Sequence, residues 1–181
     1  MRADAARNLD LVLKTGARLL AEDPATSMST IASTAGVDRR TLYRRFATRE
    51  ALLSAVFTAK LDAVDRVFEQ ARLDEAPVPV ALHRYVEGIV PVSRQWPVDM
   101  HRMMRSEPTA YARAQEQSGR LNRFVERAVS DGLFRDDLPV EWIRALLDQV
   151  VATAAHRFTD LEPPEAADRV VEALLKGVGS H

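Results

Sequence analysis

Apolar residues recur at helical spacing from one end of the chain to the other, and nowhere do β-branched residues alternate between glycine-rich turns. That single pattern confines the fold to an all-α arrangement. Prolines and the Asp131-Gly132 pair cut it into pieces. The first piece spans about Asp4 to Glu22, with Leu9, Val12, Leu13, Gly16, Leu19 and Leu20 on one stripe, and stops before Pro24. Ser27 is placed to cap a short helix from Met28 to Ala35, and Gly36-Val37 breaks it. Asp38 caps an arginine-rich helix and Thr48 a long one, Arg49 to about Leu73. The segment Asp74–Pro79 reads as a linker. Five further helices are expected near 80–94 (with Pro91 a possible kink), 98–106, 109–130, 140–158 and 165–178, giving about nine in all.

Charge separates the two ends. The 181 residues carry a net −1, yet residues 1–50 hold nine Lys or Arg against six acids, leaving the remainder at −4. A basic end on an acidic body suits one polyanion-binding surface and argues against a chain that coats nucleic acid or membrane throughout. With no cysteine, disulfides, zinc–thiolate sites and thiol nucleophiles are excluded. No apolar run reaches membrane-spanning length, and the polar start "MRADAARNLD" lacks the apolar centre of a signal peptide. The expectation is a cytoplasmic protein without membrane contact.

The densest chemistry lies in "DRRTLYRRF", Asp38 to Phe46. Two short helices joined at Gly36 have the form of a helix-turn-helix. At about 100° per residue, Leu42 and Phe46 fall together on the inward side. Arg40, Thr41 and Arg44 then project outward, with Arg45 and Tyr43 on the flanks. Arg39 lies near the buried direction by angle but, in the first turn, has room to splay outward. No acid interrupts the run from Arg39 to Arg49, whereas a solvated helix surface ordinarily mixes signs. Guanidinium forks suit guanine edges and phosphates.

The stretch "MSTIASTAGVDRRTLYRRFATREALLSAV", together with the upstream "RLLAE", closely resembles the DNA-binding signature of TetR-family transcriptional regulators over about residues 4–56. The resemblance implies a three-helix DNA-binding domain over 1–48 and a helical ligand-binding and dimerisation domain over 49–181. It implies a homodimer that places its third helix in the major groove of double-stranded operator DNA, with a small molecule as effector and no cofactor. By the same resemblance Thr41 and Tyr43 contact the backbone or base edges, and Arg45 and Arg49 touch phosphate. Arg39 and Arg40 stand at variable, base-reading positions. Ser27 and Ser29 add backbone contacts; Arg44 joins the set by its outward position on the helix, not by the resemblance. Arg40 stands where many members have a small residue, and Gly16 where alanine is common.

The segment 140–158 is apolar almost all round, which fits either a central core helix or a helix buried against a partner subunit. With the closing helix it suggests a dimer face of Trp142, Leu146, Val150, Val171, Leu174 and Leu175. "Met100-His101-Arg102-Met103-Met104" has the soft donors that hold Cu(I). Methionine is more commonly a filler of cores and adaptable pockets, so no metal is assigned. Met100, Met103 and Met104 instead suggest an effector pocket with Tyr85, Trp96, Tyr111 and Phe124. No phosphate-binding glycine loop, serine nucleophile elbow or zinc-protease motif appears, so the expected function is non-enzymatic; the resemblance implies a ligand-responsive repressor. The rival is a helical ligand-binding protein or enzyme with a vestigial helix-turn-helix.

Overall fold

The computed structural model describes residues 2–98 and 108–179, and these contain eight helices. They are α1 (Arg2–Glu22), α2 (Met28–Thr34), α3 (Arg39–Arg45), α4 (Arg49–Ala71), α5 (Val78–Gln95), α6 (Pro108–Ser130), α7 (Val140–Arg157) and α8 (Pro163–Val178). The one β-type pairing among the described residues is an antiparallel bridge between Phe134 and Gly179. The helix expected near 98–106 lies outside the described residues apart from Val98, which is not helical. α5 starts two residues earlier than the periodicity suggested, because Pro79 falls in its first turn, where its missing N–H costs nothing. The helix also continues through Pro91 to Gln95.

Three helices end in the same way. After α2, Val37 N–H donates to Ala32 O (2.9 Å) and Gly36 N–H to Ser33 O (3.1 Å), with Gly36 at φ +66°. After α6, Leu133 N–H donates to Ala128 O (2.9 Å) and Gly132 N–H to Val129 O (3.0 Å), with Gly132 at φ +74°. After α4, Leu73 N–H reaches Phe68 O (3.4 Å) and Arg72 N–H reaches Glu69 O (3.1 Å). This is the Schellman closure, which satisfies the last carbonyls by a left-handed residue just past the helix. At α4 that residue is not glycine but Arg72, at φ +53°.

The chain forms two compact units, Met1–Asp62 with Gln95–Ala112, and Ala63–Arg94 with Arg113–His181. In the first, Val12, Leu13, Ala17 and Leu20 of α1 are buried with Ile31 and Ala32 of α2, Leu42 of α3, and Leu52, Val56 and Phe57 of α4. Gly16 lets the backbone of α1 approach this core: a Cβ there would sit 3.7 Å from Val56 and 3.8 Å from Ile31 and Leu52. The second unit is a helical core built on Phe68, Leu82, Tyr85, Val86, Leu121, Phe124, Val125, Phe134, Ile143, Leu147 and Leu174. Its α5 passes so close to α4 that a Cβ on Gly88 would meet Val67 Cγ1 at 2.9 Å.

Within that second unit, Arg94 closes the carboxyl end of α7. Its guanidinium donates to Phe158 O and Leu161 O (both 3.0 Å), Ala155 O (3.3 Å) and Ala154 O (3.4 Å). The last carbonyls of a helix have no partner of their own and carry the negative end of its dipole, so a cation suits them.

Candidate nucleic-acid interface

The helix-turn-helix is assembled by local hydrogen bonds that its sequence encodes. Ser27 Oγ accepts from Thr30 N–H (3.1 Å) and shares a 2.9 Å contact with Thr30 Oγ1, starting α2. Gly36 turns the chain. Asp38 Oδ1 then accepts from Arg40 N–H (2.8 Å) and Thr41 N–H (3.2 Å), starting α3. Leu42, 1% exposed, and Phe46, 7% exposed, anchor the inner side of α3. An open cleft of about 560 Å³ runs between α1 and α3, bordered by Leu9, Val12, Val37, Arg44 and Arg45. α3 is therefore held by one apolar edge rather than by packing all round.

Everything else on α3 faces solvent. Arg39, Arg40, Thr41, Tyr43, Arg44 and Arg45 are all exposed, as is Ser27, while Ser29 is half-buried. Arg39 does splay outward, its guanidinium carbon 5.3 Å from the centre of the Tyr43 ring, a cation–π distance. Among the described residues Arg40, Arg44 and Arg45 form no ion pair. The result is a ridge of cations and hydroxyls presented by a short, capped helix. Such a ridge has the chemistry to meet phosphates and base edges together.

Arg49 is placed differently. It is half-buried, and its two terminal nitrogens donate to the backbone carbonyls of Thr26 and Pro24 in the loop between α1 and α2. Helical spacing places Arg49 next to the basic ridge; it gives no sign of this contact across 23 and 25 residues.

Residues 12–56 match the model of the bacterial regulatory proteins of the tetR family. The chain carries the DNA-binding domain of a TetR-family transcriptional regulator. Solved TetR-like regulators share its fold along nearly the whole length. LfrR from Mycobacterium smegmatis, solved in complex with proflavine, is 22% identical with a TM-score of 0.75, covering 98% of this chain and 99% of that one. The ketosteroid regulator KstR2 of Mycobacterium tuberculosis is 18% identical with a TM-score of 0.76, covering 94% of each. A TetR-family regulator from Marinobacter aquaeolei VT8 is 20% identical with a TM-score of 0.71 and covers both chains fully. No curated protein matches the sequence.

Of the residues suggested for an effector pocket, Met100, Met103 and Met104 lie outside the described residues. Tyr85 and Phe124 are buried in the second unit, where the Tyr85 ring stands 5.9 Å from that of Phe68. Burial pushes the Tyr85 phenol well above its ordinary range, so it stays a neutral hydroxyl. Trp96 is buried and Tyr111 is exposed, both in the first unit. The second unit also holds a polar cluster: Arg144 pairs with Asp148 (3.1 Å) and donates to Asn122 Oδ1 (3.3 Å) and Ser118 Oγ (3.4 Å). The i,i+4 spacing of Arg144 and Asp148 on an otherwise apolar helix was its only sequence sign. Crowding by the protein raises the Asp148 carboxyl above its usual value, with Arg144 opposing the shift.

The two closing helices leave an apolar strip uncovered. Trp142 is 59% exposed, Leu146, Val150, Val171 and Leu175 are half-buried, and Leu174 turns into the core. Of the apolar residues of α7, Ile143, Leu147 and Val151 also point inward. Among the described residues no helix is long and apolar enough to cross a membrane, and no three His, Asp or Glu gather as metal ligands.

Proposed function

We propose that this TetR-family regulator is a homodimeric repressor whose DNA affinity responds to a small apolar or amphipathic ligand. The observation that carries the reading is the ion-pair-free arginine ridge of α3, set on a glycine-turned helix pair. Arg39, Arg40 and Arg44 choose bases, while Arg45, Thr41, Tyr43 and the Ser27–Ser29 end of α2 grip the backbone. The DNA-reading residues lie within 1–48, and 49–181 supplies dimerisation and effector binding. The strip of Trp142, Leu146, Val150, Val171 and Leu175 pairs with its own copy, since a two-fold axis sets the same patch on both subunits.

Effector binding is supported by likeness alone: the regulators of similar fold include one solved with proflavine and one for ketosteroids. Tyr85 and Phe124 of the second unit supply aromatic contacts for such a ligand. The ligand releases DNA if it favours a dimer state whose recognition helices no longer match two half-sites.

Selection of bound duplexes from a random pool tests the reading directly. The expected product is a palindrome whose half-sites are about one helical turn, roughly 10 base pairs, apart. Recovery of no enriched sequence at moderate salt would sink it.

A further inference from the structure

Arg49 opens α4 at the edge of the basic ridge, and by the family resemblance it belongs with the phosphate grips. Its guanidinium is directed elsewhere. One terminal nitrogen donates to Thr26 O and the other to Pro24 O, so the planar fork spans two carbonyls of one loop. That loop is itself ordered from the other side. Thr26 Oγ1 donates to Leu19 O (3.3 Å), Thr26 N–H to Asp23 O (3.0 Å) and Ala25 N–H to Asp23 Oδ1 (2.8 Å). The next residue, Ser27, is the cap of α2. Arg49 thus ties the start of α4 to the start of α2, the two helix beginnings that flank α3 in sequence.

We infer that Arg49 acts as a positioning residue for DNA binding: it sets the α1–α2 loop, and hence the amino end of α2, against α4, and it does not grip phosphate. The geometry asks for arginine in particular. A lysine ammonium is a point donor that cannot bridge two carbonyls in one plane, although it serves well against a phosphate. Loss of the brace frees the loop that leads through Ser27 into α2, where Ser29 lies, and leaves every outward cation of α3 in place.

The two roles separate in the dependence of operator affinity on salt, because each phosphate contact contributes a slope of about 0.9 in log K against log salt. The experiment measures affinity by fluorescence anisotropy from low to moderate salt for the full-length protein and its Arg49→Lys and Arg49→Gln variants. Thermal melting first fixes a temperature at which all three are folded. As a brace, Arg49→Lys and Arg49→Gln each weaken binding by about tenfold, a charge-assisted hydrogen bond's worth, with the wild-type slope retained. Amide exchange over residues 23–27 should quicken in both. An Arg49→Lys protein that binds as wild type overturns the inference. So does an Arg49→Gln slope lower by about one per subunit. An Arg45→Ala control, expected to lower the slope, shows separately whether the assignment of phosphate grips on α3 holds.

Discussion

The side chain of Asp38 accepts the backbone N–H of Arg40 at 2.8 Å, so the residue that starts α3 is bonded to one of the exposed arginines of its ridge. One carboxylate therefore fixes both the first turn of α3 and the root of its foremost arginine. Asp38→Ala should cost about 1 kcal/mol of stability, the usual worth of such a cap, and weaken operator binding further than the stability loss explains. Asp38→Asn, which keeps the acceptor, should recover most of both. Melting curves and anisotropy on the same proteins decide it; an Ala variant equal to Asn in both would remove the cap from the account.

Within the ridge, Arg40 and Arg45 should fail in different ways. Arg40→Ala should relax sequence preference at one position of each half-site, by about 1–3 kcal/mol of discrimination. Arg45→Ala should weaken all sequences alike and reduce the salt slope by about 0.9 per subunit. Binding to a panel of single-base operator variants at two salt concentrations separates these effects.

Two residues that close helices in the left-handed region should respond in opposite senses. Gly36→Ala forces a side chain into that conformation at a cost of roughly 1–2 kcal/mol, and it does so at the turn that sets α3. Arg72→Gly removes the same kind of strain, with only an exposed pairing to Glu75 lost (2.6 Å), and should raise stability by about 1 kcal/mol. Equal destabilisation of both variants in urea titrations would contradict the assignment of strain to Arg72.

Two helical glycines make a second contrasting pair. Ala has a helix advantage over Gly of about 1 kcal/mol, and at Gly16 the new methyl meets neighbours at 3.7–3.8 Å, ordinary contact. Gly16→Ala should therefore stabilise. At Gly88 the methyl would press on Val67 at 2.9 and 3.1 Å, and overpacking of about 1–3 kcal/mol outweighs the propensity gain. Gly88→Ala should lower the melting temperature, and Gly88→Ala with Val67→Ala should restore part of it.

The apolar strip of the closing helices predicts that Trp142→Asp or Val171→Asp yields a folded monomer. Sedimentation should show half the wild-type mass, and operator affinity should fall steeply because one half-site remains. Leu174→Asp should instead unfold the protein, since Leu174 is 2% exposed within its own subunit.

Much of the reading end was legible because its determinants are local. The caps Ser27, Asp38 and Thr48 act within three residues, as Ala51 N–H on Thr48 Oγ1 at 3.1 Å illustrates. Gly36 acts within its own turn, and Leu42 and Phe46 obey a fixed angular period. What stayed hidden is what joins distant positions. The carbonyls that hold Arg49 lie more than twenty residues away. Those that hold Arg94 are more than fifty away. His83 lies 2.9 Å from Asp168, 85 positions further along the chain. Periodicity gives the direction of a side chain but not the length of its reach, and long cations are the residues for which reach matters most.

The two compact units are not successive stretches of chain: the first is completed by Gln95–Ala112, and the borders fall inside α4 and α6 and at the end of α5. No single flexible connection carries the reading end. A chimaera that exchanged this head for another at one cut would sever a helix and leave behind a segment its core contains. In this protein new operator preference is accordingly reached more readily by changing side chains on α3 than by shuffling whole modules.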